Sequence, residues 1–307
     1  MAKPDAQATR QPWLPLAAIA VTVVLWASAF VAIRHVGHEV SAGALSLGRL
    51  LVASLVLGVF VLVRRDSSVA AAGSLGGNGW PVGRAWVRLI VCGLLWFGVY
   101  NVALNEAERR VDAGTAAMLV NIGPILIAVL AGLLLGEGFP RQVFVGLGVA
   151  FAGVLLIGTA TSPGGGADLV GVALCLVSAI GYAVGVVSQK PLLKEVSPLR
   201  VTWLACVVGT VSCLPFLPAL LHDLRTASPS AVGWIVYLGV MPTALAFTTW
   251  AYALARTTAG KLGTSTYLVP PVAILLGWLL LGESPAPLAY LGGAICLAGV
   301  YLSRRGA

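Results

Sequence analysis

The sequence has too little charge for a water-soluble fold of its length. Only 10% of its 307 residues are Asp, Glu, Lys or Arg, and 59% are hydrophobic. Soluble domains carry roughly 25% charged residues. The apolar residues form runs of about 20, such as 114–135 and 262–281, which is the length of a bilayer-spanning helix. Strand-like alternation is absent. The sequence therefore predicts an all-α membrane protein.

The chemical groups of an enzyme are also missing. The five cysteines lie inside apolar runs without metal-ligand spacing, and the three histidines lie near loops. No glycine-rich loop is followed by Lys-Ser/Thr, so ATP-driven transport by this chain alone is not expected. A membrane-embedded enzyme would need a nucleophile, an acid/base pair or a metal cluster, and no such constellation is present. We predict no catalytic residue, no metal and no cofactor.

The net charge of +8 comes from basic residues in short loops beside apolar runs. There Lys and Arg orient a protein in the bilayer, so the lipid bilayer is the expected partner and nucleic acid is not. With the N-terminus inside, fourteen basic residues lie inside and four outside (Arg34, Arg109, Arg110 and Arg225). The positive-inside rule thus predicts a multi-pass inner or plasma membrane protein with both termini cytoplasmic.

Ten transmembrane helices are predicted, an even number because both termini share a side: 13–33, 41–63, 86–106, 114–135, 142–159, 168–189, 199–219, 231–254, 261–281 and 286–303. The long connection 64–85 is predicted to be a flexible loop, and glycines 164–166 mark a second break. We divide the chain into a cytoplasmic tail (1–12), a first five-helix unit (13–159), a linker (160–167), a second five-helix unit (168–303) and a cytoplasmic C-terminal tail (304–307).

The two units repeat one another. A shift of 156 residues, then of 146 after the long loop, aligns Trp26-Ala27 with Tyr182-Ala183, Glu39-Val40-Ser41 with Glu195-Val196-Ser197, Pro124 with Pro270, and 133–137 with 279–283. Five is an odd number of spans, so the second unit enters the membrane in the opposite sense. Many transporters obtain two conformations, open to opposite sides, from such inverted repeats. The alternative is a duplication that only enlarged a helix bundle.

These segments resemble the drug/metabolite transporter superfamily, in particular the ten-helix branch of its EamA family. Trp26-Ala27-Ser28-Ala29-Phe30 is similar to the family's first-helix motif, which usually has Gly at position 27. Arg49 matches a frequent family arginine, and the two Pro…Leu-Leu-Gly-Glu segments ending at Glu137 and Glu283 are similar to its repeated signature. The resemblance covers about 13–303.

The resemblance implies two inverted repeats around a central cavity lined mainly by helices 1–4 and 6–9, with helices 5 and 10 at the periphery. It also implies export of amino acids, related metabolites or drugs. With the inverted repeats, the leading hypothesis is a secondary transporter that uses alternating access. A membrane-embedded enzyme or a structural subunit without transport activity is the alternative. The substrate is a small molecule whose identity stays open, as do the direction of transport, proton coupling and the oligomeric state.

Three kinds of residue, within the spans or just after them, are singled out by the sequence. Pro124 and Pro270 are candidate hinges, because proline frees a carbonyl that protein or a water-lined cavity must satisfy in lipid. Arg49 should face the interior, because hydrocarbon is costly for a charge. It holds an anionic group of the substrate, such as a carboxylate, or it bonds helix-end carbonyls; both interpretations remain open. Glu137 and Glu283 are expected to accept bonds from the amides that start the next helix.

Other polar and aromatic residues complete the candidate site. Asn101 and Asn121 either line the cavity or bond helix to helix. Mid-span aromatic side chains form an apolar cage with polar edges, or they pack in the core. The candidates for substrate binding or cavity lining are Trp26, Ser28, Arg49, Tyr100, Asn101, Asn121, Tyr182, Trp203, Trp250 and Tyr267. No carboxylate lies at mid-depth, so facilitated export fits at least as well as a buried proton relay.

Overall fold

The structure, a computed structural model, describes residues 13–63, 80–110, 119–161, 168–281 and 287–304. All regular elements in those ranges are helical, which confirms the all-α prediction for them. We number the segments α1 (Trp13–Val36), α2 (Ala42–Val63), α3 (Arg84–Ala107), α4 (Gly123–Leu134), α5 (Arg141–Thr161), α6 (Leu169–Leu192), α7 (Pro198–Thr226), α8 (Pro229–Leu254), α9 (259–281) and α10 (Pro287–Arg304).

Six segments (α1, α2, α3, α6, α7 and α8) are long and apolar enough to cross a membrane. Shorter apolar helices lie within α4, α5 and α10. Large apolar side chains also point outward: Leu62 is 79% exposed and Leu133 is 66% exposed. A wide apolar surface is a liability in water, whereas lipid tails cover it at no cost. These are the features of a multi-pass membrane protein.

The helical path is interrupted at corresponding positions just before α4 and within α9. The sequence predicted Pro124 near the middle of a continuous helix, but a turn at 121–122 precedes α4, and Pro124 lies in its first turn. In α9, a 3-10 turn (Thr266–Leu268) separates Ala259–Ser265 from Val269–Leu281, so Pro270 also lies in a first turn. Proline fits there because the first amides of a helix have no intrahelical partner. Each proline thus follows a break.

Helices α3 and α8 each contain a π-helical stretch, Gly93–Val99 and Gly239–Leu245. These stretches begin 146 residues apart, so both units carry the same irregularity. Side chains bond carbonyls in and beside them. Asn101 Nδ2 donates to the carbonyls four and five residues before it (2.8 and 3.3 Å), and Thr243 Oγ1 donates to the carbonyl five residues before it (2.7 Å). Such π-helical turns are frequent at functional sites.

Helices α5 and α10 pack antiparallel at very short range. A Cβ atom built on Gly146 would lie 2.6 Å from the carbonyl oxygen of Gly299, and one built on Gly153 would lie 2.6 Å from that of Gly292. Small residues let two helix backbones approach closely in lipid, where no hydrophobic force drives helices together. Gly146 and Gly292 are aligned by the repeat, and so are Gly153 and Gly299.

Three hydrogen bonds join residues that the repeat aligns with each other. They link the Ser54 and Thr210 hydroxyls (3.0 Å), the Tyr267 hydroxyl and the Asn121 carbonyl (2.9 Å), and Cys296 Sγ and the Ala150 carbonyl (3.4 Å). The first pair is 156 residues apart, and the other two pairs are 146 apart. These are the two shifts by which the sequence repeats.

One end of the bundle, where α1 leads into α2, is tied across the two halves. The Glu39 carboxylate accepts hydrogen bonds from the backbone N–H and hydroxyl of Ser228 (2.7 and 2.9 Å). Asp223 Oδ2 accepts bonds from the N–H and hydroxyl of Ser41 (2.9 and 2.8 Å). The backbone N–H of Ser228, and then its hydroxyl, hold the pKa of Glu39 below its usual value. We call this the Glu39 end.

At the opposite end, the Glu137 end, the structure corrects a prediction. Glu137 does not bond the helix that follows it but the start of α9: its Oε1 accepts from the Ala259 N–H (2.8 Å) and its Oε2 from the Gly260 N–H (3.2 Å). A carboxylate is favourable there because a helix N-terminus carries partial positive charge. Nearby, Lys190 Nζ donates to two carbonyls at and just beyond the end of α8. Glu283 lies outside the described residues.

Candidate functional site

A cavity of about 90 Å³, measured as the space open to the centres of water molecules, lies between the two halves. On that measure one water needs roughly 10–15 Å³, so the cavity admits several waters or part of a small molecule. Its lining residues come from α1, α2, α3, α4, α6, α8 and α9 and from positions 120–121. Among the described residues, α5, α10 and α7 contribute none; the resemblance implied this for helices 5 and 10 but not for helix 7.

The cavity extends from mid-depth toward the Glu39 end. On α1 it is lined by positions 26, 29, 30 and 33, and on α3 by 96, 100, 101 and 104, which lie in the half of each helix that runs to that end. Seven candidates from the sequence meet here, although they are distant in the chain: Trp26, Arg49, Tyr100, Asn101, Asn121, Pro124 and Tyr182.

Arg49 supplies the positive charge of the cavity. It is 5% exposed, and its Nε donates to Thr243 Oγ1 at 3.0 Å. Thr243 uses its own proton toward a carbonyl, so its oxygen is held as an acceptor for Arg49. Within the described part of the chain the guanidinium makes no other hydrogen bond, which leaves its two terminal nitrogens for a ligand. A guanidinium presents parallel donors that match the two oxygens of a carboxylate.

Aromatic rings form the wall of the same cavity. Ring centroids are 5.2 Å apart for Trp26 and Phe247, 5.3 Å for Trp96 and Tyr182, and 6.1 Å for Tyr100 and Tyr182. The indole N–H of Trp26 is buried without a hydrogen-bond partner. An unpaired buried donor costs about 1–3 kcal/mol, so this N–H is available to water or a ligand. The site thus combines an apolar surface with donors.

The sequence reasoning missed nine lining residues, among them the aromatic residues Trp96 and Phe247. No pattern in the sequence singled out Trp96. Phe247 is the repeat counterpart of Asn101, so aligning the candidate list onto the second unit would have found it. Its ring lies 4.9 Å from that of Trp96. The two rings line the cavity on its side nearer the Glu137 end.

Ser28 and Trp203 lie away from the cavity. The Ser28 hydroxyl bonds a carbonyl of its own helix (2.8 Å) and pairs with the Tyr237 hydroxyl (2.7 Å), joining α1 to α8. Trp203 Nε1 donates to the Ser54 carbonyl (3.1 Å), joining α7 to α2. Both residues satisfy polar groups between helices, which is the common use of polar side chains in membrane bundles.

Trp250 and Tyr267 lie behind the cavity wall. Trp250 packs against Trp26 with centroids 5.0 Å apart. Tyr267 is fully buried and bonds the Asn121 carbonyl. That carbonyl is free because the amide that would bond it in a continuous helix bonds the next carbonyl instead. Tyr267 thus supplies a hydrogen bond to the carbonyl that the break before Pro124 leaves unpaired, as an interrupted helix in lipid requires. Pro270 follows three residues after Tyr267 and is not among the residues that line the cavity.

Proteins similar to this chain are transporters. A family model described as the EamA-like transporter family matches residues 13–159 and again 169–305. A probable terminal-alkyne amino-acid exporter from Streptantibioticus cattleyicolor is 40% identical over 289 residues, which are 94% of this chain and 92% of that protein. The uncharacterized transporter YdfC from Bacillus subtilis is 31% identical over 280 residues, 90% of this chain and 86% of that protein.

A solved structure described only as a crystal structure of a protein has a similar fold. Its TM-score is 0.75, at 20% sequence identity, and the match covers 94% of this chain and 96% of that one. At that identity the likeness concerns the fold alone.

Proposed function

Because the chain belongs to the EamA-like transporter family, we propose that it is a secondary exporter of amino acids with apolar side chains. The observation that carries the substrate class is the pairing, in one cavity, of the Arg49 guanidinium with an aromatic wall. The guanidinium suits a carboxylate, and the rings suit an apolar side chain. The direction is that of the similar terminal-alkyne amino-acid exporter. The transporter relatives also support a role without catalysis.

The proposed mechanism is alternating access between two inverted five-helix units, 13–159 and 168–303. Two-fold related elements can touch their own counterparts only on the axis, and the three hydrogen bonds between aligned residues fit that rule. The antiparallel contact of α5 with α10 fits it as well. The cavity lining contains three aligned pairs: Trp26 and Tyr182, Asn101 and Phe247, and Val120 and Thr266. A site on the axis is where two rocking halves both keep contact with substrate.

A counterflow assay tests the function. The purified protein is reconstituted in proteoliposomes that are preloaded with unlabelled L-propargylglycine, a terminal-alkyne amino acid. These proteoliposomes should accumulate the labelled compound from outside. The corresponding amino alcohol, which lacks the carboxylate, should give little counterflow because Arg49 then has no anion to bind. Repeating the assay with and without a pH gradient separates proton coupling from facilitated exchange. Absence of counterflow for aliphatic, unsaturated and aromatic amino acids alike would refute the proposal.

Cysteine labelling tests the inverted topology. His38→Cys and Lys194→Cys replace exposed residues that the repeat aligns, and they should react with a membrane-impermeant maleimide from opposite faces of the membrane: position 38 from outside and position 194 from the cytoplasm. The five native cysteines are buried and should give little background. Arg256→Cys is the control that should label from the same face as position 194. If positions 38 and 194 label from one face, the two units are not inverted.

A further inference from the structure

We infer that a second vestibule, closed in this structure, joins the cavity to the Glu137 end, and that Gln189 and Trp250 line it when it opens. The inference rests on the proposed inverted repeat. If each unit takes the other's role in turn, the residues that line the cavity now have counterparts that line it when the protein opens on the opposite side. The alignment names those counterparts.

The counterparts occupy corresponding positions along the helices that the repeat aligns. Ile33 lines the cavity three residues before the end of α1, and the repeat aligns it with Gln189, three residues before the end of α6. Leu104 lines the cavity three residues before the end of α3, and the repeat aligns it with Trp250, four before the end of α8. Both counterparts therefore lie between the cavity and the Glu137 end.

These counterparts are closed off from solvent in the present conformation. Gln189 is 0% exposed and Trp250 is 2% exposed. Ala29, which lines the cavity, is aligned with Gly185, and a Cβ built on Gly185 would lie 2.4 Å from that of Trp96. Helix α6 therefore lies directly against α3 at this depth. The two helices must separate for the vestibule to form.

The polar atoms of the two counterparts have no partners. Neither Nε2 nor Oε1 of Gln189 forms a hydrogen bond, and neither does Nε1 of Trp250. Buried polar groups are almost always paired, because each unpaired one costs about 1–3 kcal/mol. A residue needed only to fill this space would be apolar. Gln189 and Trp250 are each aligned with a residue that lines the cavity. Their unpaired polar atoms point to a second conformation in which water or substrate reaches them.

Hydrogen bonds at the Glu137 end hold the vestibule shut. Lys190, next to Gln189, is bonded to the carbonyls at and beyond the end of α8, a few residues after Trp250. Glu137 holds the start of α9. The positive-inside bias makes this end cytoplasmic, so in an exporter it is the side of uptake. Gln189, with a donor and an acceptor, and Trp250, with a donor, would then meet the amino and carboxylate groups of the substrate first.

The first test is Gln189→Leu, which keeps the volume and removes both polar atoms. In inside-out vesicles we expect KM for uptake from the Glu137 side to rise about 3- to 10-fold, the loss of one or two net hydrogen bonds. Binding from the Glu39 side should be unchanged, and thermal stability should not fall. Gln142→Leu, at an exposed position of α5, is the matched control. An unchanged KM from the Glu137 side, or an equal rise from both sides, would overturn the inference.

The second test reads accessibility rather than transport. Gln189→Cys, in a background whose five native cysteines are replaced by alanine, should react with a charged methanethiosulfonate only from the Glu137 side, and faster during counterflow. If the parent protein shows counterflow yet the thiol introduced at position 189 stays unreactive from that side, the vestibule does not lie there and the proposed function stands. If the parent protein shows none, the proposed function itself fails.

Discussion

Arg49→Ala should reduce export of carboxylated substrates by 100-fold or more without unfolding the protein. The guanidinium uses one donor on Thr243, so two charge-assisted bonds to a carboxylate remain to be lost. Hydrogen bonds to charged groups contribute about 1.5–3 kcal/mol each, which is roughly 10- to 100-fold in an equilibrium constant. Thr243 keeps its bond to a backbone carbonyl after the change, so no buried polar group is orphaned.

Graded variants decide between the two interpretations of Arg49 that the sequence left open. Arg49→Lys keeps the positive charge but loses the planar pair of donors that binds both carboxylate oxygens, so transport should fall only in part. Thr243→Val removes the acceptor that orients the guanidinium and should give a smaller loss. Arg256→Ala, at an exposed arginine over the Tyr252 ring, should have no effect on transport. If Arg49→Ala transports carboxylated substrates at the parental rate while its thermal stability falls, Arg49 is structural.

Hydropathy and spacing predicted the helical class and the positions of the helices because both signals are local and long. A run of about 20 apolar residues has few alternatives to a helix in lipid. The aligned Pro…Gly-Glu segments likewise anticipated that α4 and α9 share an irregularity, although not that each helix breaks before its proline. The π-helical stretches had no such signal, because their extra residue is accommodated by tertiary contacts and by side chains such as Asn101 and Thr243.

The sequence could not show which candidates face the cavity, and the reason is physical. Membrane helices are apolar on all sides, so no amphipathic pattern tells the face toward the cavity from the face toward a neighbouring helix. Trp26 and Trp203 looked alike on that basis, yet one lines the cavity and the other bonds α2. Glu137 shows the same limit for polar groups: its bonding partners lie 122 and 123 residues away, outside any local capping pattern.

Gly146→Ala should lower the thermal stability of the protein, whereas Gly148→Ala, two residues further along α5, should raise it slightly. A methyl group on Gly146 would lie 2.6 Å from the Gly299 carbonyl oxygen and 2.7 Å from the Ser303 amide nitrogen, and backbone atoms cannot rotate away. Helices α5 and α10 must therefore move apart, at a cost of about 1–3 kcal/mol for overpacking. At Gly148 nothing lies within 4 Å, so alanine gains only its better helix propensity, roughly 0.5–1 kcal/mol.

The repeat extends this prediction to the second unit. Gly292 is the counterpart of Gly146, and a Cβ there would lie 2.7 Å from the Gly153 carbonyl oxygen, so Gly292→Ala should cost about as much. Because both changes separate the same helix pair, the double variant should lose less than the sum of the two. Fluorescence-detected size-exclusion chromatography after heating measures each midpoint. Equal midpoints for the 146 and 148 variants would mean that α5 and α10 do not meet at this distance in the folded protein.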